Sequence, residues 1–417
     1  MTETAAPTAA ARISAVAGAA ALLLSLSAAP APAAPPTTPP TAPRGTLLSV
    51  TPLGHASRAD VVRIVSGAGV DAAAARHGTD SYRLTYATIT PFGAPTTASA
   101  LLVLPDGGGD RLSTVSETHG TIAYRGSAPS TGDDSSDIGA LLYASGGRAV
   151  VAPDYLGLGT GPGTHPYVDT ASSVSASVDA LRAARTAAGD RGRRLTADVY
   201  ATGFSQGGQV AMALGRELAR GAEPRFRLRA LAPVAGPYDI EGQELPAIFD
   251  GRVKGRSGVF YLTYFLVAQN RLWPLYADPR DAFRAPYADR VEGLFDGEHR
   301  NREIVEQLPG SVEELLTAEW YERLQHPTGA LAEVLRRNDG VCAWAPRVPV
   351  RLHTARGDQD VPIGNTVSCA KTLAERGAHA TVLSYGDSDH HGTYQRAVAS
   401  NARWFARLDQ FRSGQPR

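Results

Sequence analysis

Short apolar runs alternate with longer amphipathic stretches from about residue 80 to the C-terminus. Ser81 to Thr88 and Thr96 to Leu104 alternate apolar and polar positions around a turn holding Pro91, Gly93 and Pro95, a pattern that predicts two antiparallel strands. Six further short runs follow: Leu112 to Glu117, Arg148 to Pro153, Asp198 to Gly203, Leu228 to Val234, Pro349 to Arg356 and Ala380 to Tyr385. Helical periodicity separates them. Val174, Val178 and Leu181 share one helical face after the second run, and Val210, Leu214 and Leu218 share another after the third. A third helix is predicted from about Thr366 to Arg376, with Asn365 as its N-cap and Gly377 as its stop. Strands spaced by helices of this length imply right-handed crossovers and a mostly parallel sheet covered on both faces, an α/β class.

Two stretches depart from this rhythm. Between Gly236 and Val348, about 110 residues carry helical, aromatic-rich segments such as Phe260 to Val267 and Leu315 to Leu324 but no convincing core strand, which predicts an inserted cap. The predicted organisation is therefore a core of 46–240 and 349–417 with a cap at 241–348. Phe260 to Val267 is apolar enough either to form the interior of that cap or to line an acyl pocket. At the other end, Arg12 precedes an apolar run from Ile13 to Ala29 that gives way to Ala and Pro, the layout of a secretory signal peptide over residues 1–33, cleaved after Ala33. The run is short for a bilayer span, so an uncleaved anchor is the lesser alternative. Residues 34–45 read as a Pro-rich flexible N-terminus.

Composition narrows the partners. The chain has 417 residues, with 41 basic and 41 acidic groups. That balance offers no broad cationic surface for nucleic acid or anionic lipid, and stable membrane insertion is not expected. The attraction for a small-molecule or lipid substrate is expected to come from apolar surface in the cap. Cys342 and Cys369 are the only cysteines. After export they are expected to bridge, stabilising by about 3 kcal/mol, the alternative being two buried thiols.

The candidate chemistry lies at the ends of the predicted strands. Gly203-Phe204-Ser205-Gln206-Gly207 is a G-x-S-x-G turn between a strand and a helix, the setting that holds a serine hydroxyl exposed on a sharp bend. Serine is a weak nucleophile near neutral pH and requires a base, which in turn requires an orienting acid. Both follow in order. The run ending near Arg356 leads into Gly357-Asp358-Gln359-Asp360-Val361-Pro362, and the last run leads into Gly386-Asp387-Ser388-Asp389-His390-His391-Gly392. Asp360 is favoured over Asp358 as the acid because it stands just before Val-Pro, and His390 over His391 as the base. The two oxyanion donors are expected to be the amides of Gln206 and Thr121, with Gly120 as the alternative to the latter. The Gly157-x-Gly159-x-Gly161-x-Gly163 run lacks the offset of a dinucleotide loop and is read as a structural turn, so no cofactor is assigned. The other histidines have no metal-like spacing, and no metal is assigned.

These segments together resemble the α/β-hydrolases, and within them the secretory lipase and esterase branch. The resemblance rests on Glu117-Thr118-His119-Gly120-Thr121, Ala128-Pro129-Ser130, Ala152-Pro153-Asp154-Tyr155-Leu156-Gly157-Leu158-Gly159, His165-Pro166-Tyr167, Gly203 to Gly208 and Asp389 to Gly392, in that order. It implies a Ser-Asp-His triad, an oxyanion hole in the two loops named, a cap after the sixth core strand, and hydrolysis of carboxylic esters. The same constellation would also serve a peptidase, an acyltransferase or a metabolite-specific esterase or lactonase, and a non-catalytic binding protein could retain the fold.

Overall fold

A computed structural model describes residues 42–132 and 138–413. The predicted leader, 1–33, and residues 34–41 of the Pro-rich segment lie outside the described residues. Nine strands form one sheet: β1 Leu47–Ala56, β2 Gly78–Ile89, β3 Pro95–Asp106, β4 Arg111–Thr118, β5 Ala149–Pro153, β6 Arg194–Phe204, β7 Arg227–Val234, β8 Val350–Thr354 and β9 Ala380–Ser384. Their spatial order is β1-β2-β3-β5-β4-β6-β7-β8-β9. The first three strands form an antiparallel meander, β3 meets β5 antiparallel, and every pairing from β5 to β9 is parallel. The eight predicted strands are all present. The additional strand, β1, is mostly exposed along its length and so carries no apolar alternation to read.

Helices cover both faces, as a parallel sheet requires. On one face α3 (Thr170–Gly189) and α4 (Gln206–Ala219) bury Val174, Val178, Leu181, Val210, Leu214 and Leu218 in a single apolar cluster with Val199, Leu231 and Leu352 of the strands. On the other, α1 (Arg58–Gly67), α2 (Ile138–Ser145) and the last helix, His390–Ser413, bury Val61, Val65, Leu142, Val398 and Phe405 against Val115, Val150 and Tyr200. Each such side chain taken out of water contributes roughly 1.5–3 kcal/mol before entropy is counted. The helix after β8 spans Gly364–Glu375, two residues earlier than predicted at its start. Asn365 is therefore not its cap: it is buried inside the first turn, where its amide donates to Glu244 Oε2 at 2.7 Å. Gly377 follows the helix with φ +81°, the left-handed conformation that stops it.

Between β7 and β8 the described residues form helices and turns with an apolar cluster of their own. The helix Gly255–Asn270 is its centre: Val259, Tyr264, Leu266 and Val267 are buried with Phe283, Phe295, Trp320 and Leu331. Tyr264 stacks on Phe295 and on Tyr167 with ring centroids 4.6 and 4.2 Å apart. Cys342 and Cys369 form a disulfide, tying the chain returning from this region to the helix Gly364–Glu375. Among the described residues no helix is long and apolar enough to cross a membrane.

The strand order contains one reversal that positions the site. The chain leaves β4 toward β5 on one side and then crosses back over β4 to β6 on the other. The crevice at the C-terminal ends of β4 and β6 is where such sheets leave room for a ligand.

Candidate active site

Ser205 occupies the turn between β6 and α4 at φ 57° and ψ −126°, a conformation a non-glycine residue adopts only when its surroundings impose it. The surroundings are specific. Ser205 N donates to Val234 O at 2.9 Å, and Thr118 Oγ1 at the end of β4 donates to both Thr202 O (3.0 Å) and Gly207 O (2.7 Å). A Cβ on Gly207 would lie 2.0 Å from Thr118 O, and one on Gly203 would lie 2.1 Å from Thr118 Oγ1. The glycines of the motif thus let β4 press against the bend and hold it.

His390 opens the last helix, and its Nδ1 donates to Asp358 Oδ2 at 2.7 Å. Its Nε2 is buried without a protein partner, and its ring packs against Phe204 at 4.3 Å between centroids. The other Asp358 oxygen accepts the amides of Asp360 and Val361, each at 2.9 Å, so the carboxylate is held from both sides. This corrects the expectation for Asp360. Its carboxylate accepts from Tyr261 Oη at 3.1 Å, while the imidazole is bound to Asp358. The reason lies in Gly357, where a Cβ would come within 2.3 Å of Asp387 O: the turns after β8 and β9 touch there, and the residue immediately following the contact is the one beside His390. His391 is exposed, borders the same cavity, and has its ring 6.2 Å from that of Tyr394.

The loop after β4 completes the surround. Gly120 packs against the serine turn, with 3.3 Å between its Cβ direction and Ser205 Cβ. Thr121 Oγ1 shares a hydrogen bond with Tyr167 Oη at 2.9 Å, and Thr121 O accepts from Asn301 Nδ2 at 3.2 Å. Beneath them Asp154 is fully buried and accepts from Ser99 Oγ (2.5 Å), from Ser130 N (2.8 Å) and from Ser130 Oγ, which ties the Ala128-Pro129-Ser130 segment to the end of β5. His165 is held neutral, burial pushing it down to about 3; its Nδ1 donates to Leu156 O, leaving Nε2 as an acceptor 3.4 Å from Gln206 Nε2. His119 is likewise pushed down to about 4 by burial.

Two cavities meet at Ser205. The larger, about 610 Å³, is bordered by His390, His391, Tyr394, Phe260, Arg256 and Arg302 among others. The smaller, about 70 Å³, is bordered by Gln206, Tyr167, Leu262, Phe265 and Val361 among others. Ser205, Thr121 and Tyr261 border both. Within the segment Phe260 to Val267, Tyr264, Leu266 and Val267 are buried in the apolar cluster between β7 and β8, while Phe260, Tyr261, Leu262 and Phe265 border the cavities. The cavity mouth is not purely apolar, since Arg256 and Arg302 contribute to it.

Sequence reasoning missed two buried acids. Glu117 at the end of β4 borders the larger cavity with Oε2 unpartnered, and burial pushes its carboxyl up to about 8. A Cβ on Gly139 would lie 1.9 Å from Glu117 Oε1, so that glycine makes the space for it. Glu244 borders the smaller cavity and is pushed up to about 8, first by burial and then by the nearby Asp358 and Asp360. The acidic residue before the His119-Gly120 pair was a visible signal for Glu117; Glu244 had none.

This sheet and its helical cover define an α/β-hydrolase fold. Among solved structures the chain is similar to a candidate hydrolase from Legionella pneumophila, at 24% identity and TM-score 0.81 over 89% of this chain and 100% of that one. It is similar to the rice cell wall degrading esterase LipA from Xanthomonas oryzae, at 28% identity and TM-score 0.75 over 89% of this chain and 98% of that one. Candida antarctica lipase A in its closed state shares the fold at 15% identity and TM-score 0.65, over 90% of this chain and 84% of that one. Neither a family profile nor the sequence of a curated protein matches the chain significantly.

Proposed function

We propose that the protein is a serine hydrolase of carboxylic esters, exported by its N-terminal leader. The observation that carries this reading is the pairing of a strained Ser205 with a His390 whose Nδ1 is bound to Asp358 and whose Nε2 is unpartnered at the same cavity. His390 Nε2 removes the Ser205 proton as Oγ attacks the ester carbonyl, and Asp358 fixes the imidazole tautomer and stabilises the imidazolium. The amides of Gln206 and Thr121 receive the oxyanion, a contribution of about 100- to 1000-fold per donor. Collapse breaks the bond from carbon to the alkoxy oxygen, and His390 returns the proton to that oxygen so that the alcohol departs. Water, deprotonated by His390, then cleaves the acyl-enzyme and regenerates Ser205. The fold shared with an esterase and a lipase supports the ester class.

Replacing Ser205 by Ala is expected to lower turnover of an activated ester by roughly a millionfold and to abolish labelling by a fluorophosphonate probe. Retention of a few percent of activity would sink the assignment.

A further inference from the structure

We infer that the acyl group of the ester enters the smaller cavity and the alcohol the larger, which makes the protein selective for acyl chains of about two to four carbons. The inference rests on the ester-hydrolase reading above and deepens it.

Stereochemistry assigns the two spaces. A tetrahedral carbon on Ser205 Oγ carries three other groups: the oxyanion, the acyl chain and the alkoxy leaving group. The leaving oxygen must lie within hydrogen-bonding reach of His390 Nε2, because that nitrogen supplies its proton. His390, with His391 and Tyr394, borders the larger cavity and not the smaller. The alkoxy group therefore points into the larger space, whose 610 Å³ leaves the alcohol free to be bulky. Gln206, whose amide is one of the two proposed oxyanion donors, borders the smaller cavity and not the larger. The remaining substituent is the acyl chain, and the remaining space is the smaller cavity.

The walls and size of that cavity set what fits. Apart from the residues shared with the larger space, Tyr167, Ile248, Leu262, Phe265, Leu335 and Val361 present mostly hydrocarbon. An apolar cavity of about 150 Å³ takes one benzene molecule. At about 70 Å³ this one has half that room, enough for an acetyl to butanoyl group and too little for an aromatic acid or a fatty chain. Leu262, Phe265 and Leu335 belong to the apolar cluster of the cap, so the cavity cannot lengthen without breaking that packing. The one acid in the wall, Glu244, receives the Asn365 amide at 2.7 Å, and burial favours its neutral form, so no charge opposes an aliphatic group.

The test is an acyl series, acetate, butanoate, octanoate and dodecanoate, on one chromogenic alcohol. The expected kcat/KM falls about tenfold or more from butanoate to octanoate. Ile248→Ala, which deepens the small cavity, moves the optimum to longer chains, and Ile248→Phe confines activity to acetate. Active-site titration with a fluorophosphonate normalises each variant, because poor folding lowers all esters together and leaves their ratios unchanged. Octanoate cleaved as well as butanoate, or Ile248 variants with the parent profile, would overturn the inference. So would Val305→Ala, which opens the larger cavity, shifting the acyl optimum in place of the preference among alcohols. Failure of the ester-hydrolase reading shows itself differently, as no turnover of any ester and no label on Ser205.

Discussion

The strand ends and the cap are built by different means. At the strand ends the geometry is imposed by backbone contact: Gly203, Gly207 and Gly357 sit where no Cβ fits, which fixes the turns that carry the neighbouring residues. In the cap the geometry is imposed by side-chain volume, through Tyr264 stacked on Phe295 and on Tyr167 of the core, and the buried Trp320. Backbone contact is unforgiving and suits the placing of reacting atoms. Side-chain packing can be traded residue by residue at moderate cost, which suits the shaping of a cavity. On the function proposed above, the molecule keeps its chemistry in one region and its selectivity in the other.

Substitutions can break this division in graded steps. After Ser205 itself, the largest effect is expected at the acid. Asp358→Asn leaves the shape of the turn but presents the wrong hydrogen-bonding pattern to His390 Nδ1, and a drop in kcat of about 10⁴ is expected. Asp360→Asn, which touches Tyr261 on the cap side, should stay within about tenfold of the parent, the loss of one part-buried hydrogen bond being worth roughly 1 kcal/mol. Steady-state kinetics on one ester compares them, and equal losses would erase the distinction drawn between the two carboxylates.

Next comes the tie between the regions. Replacing Cys342 and Cys369 together by Ser is expected to lower unfolding free energy by about 3 kcal/mol, read from denaturant midpoints without reductant. The preference among acyl chains should survive below the melting transition, because neither cysteine borders a cavity.

The smallest expected effect concerns pH. In the folded chain Glu117 holds its proton up to about 8, against an ordinary value of 4.5 when unfolded. Its raised value therefore contributes stability that is complete below about pH 4.5 and is lost as pH rises toward 8. Glu244 adds a loss of the same sign over the same window. Above about pH 7, where the buried histidines are neutral in both the folded and the unfolded chain, melting temperature should fall toward pH 8, and Glu117→Gln should reduce that fall by roughly a few degrees. An unchanged slope would mean that the carboxyl is ionised in the folded state.

What could be read from the sequence follows the same division. The serine turn was legible because its backbone contact demands glycine at fixed offsets, and the parallel strands were legible because burial on both faces makes them continuously apolar. β1 was not, because its side chains are exposed and carry no period. Asp358 and Asp360 could not be separated by spacing alone, since the choice depends on the turn after β8 touching the turn after β9 at Gly357. Asn365 looked like a helix cap because its type suits that role, yet it was spent on a buried partner distant in sequence. The pairing of Cys342 with Cys369 was legible by count alone.

The bend at Ser205 has one further consequence. It persists only while Thr118 grips it from the neighbouring strand, through bonds spanning more than eighty positions of chain. If Ser205 is the nucleophile as proposed, reactivity toward a serine probe is therefore a gauge of tertiary assembly. A collapsed intermediate with its helices formed but β4 undocked would give a native-like far-ultraviolet spectrum and no label, so the probe counts finished molecules and ignores the nearly finished.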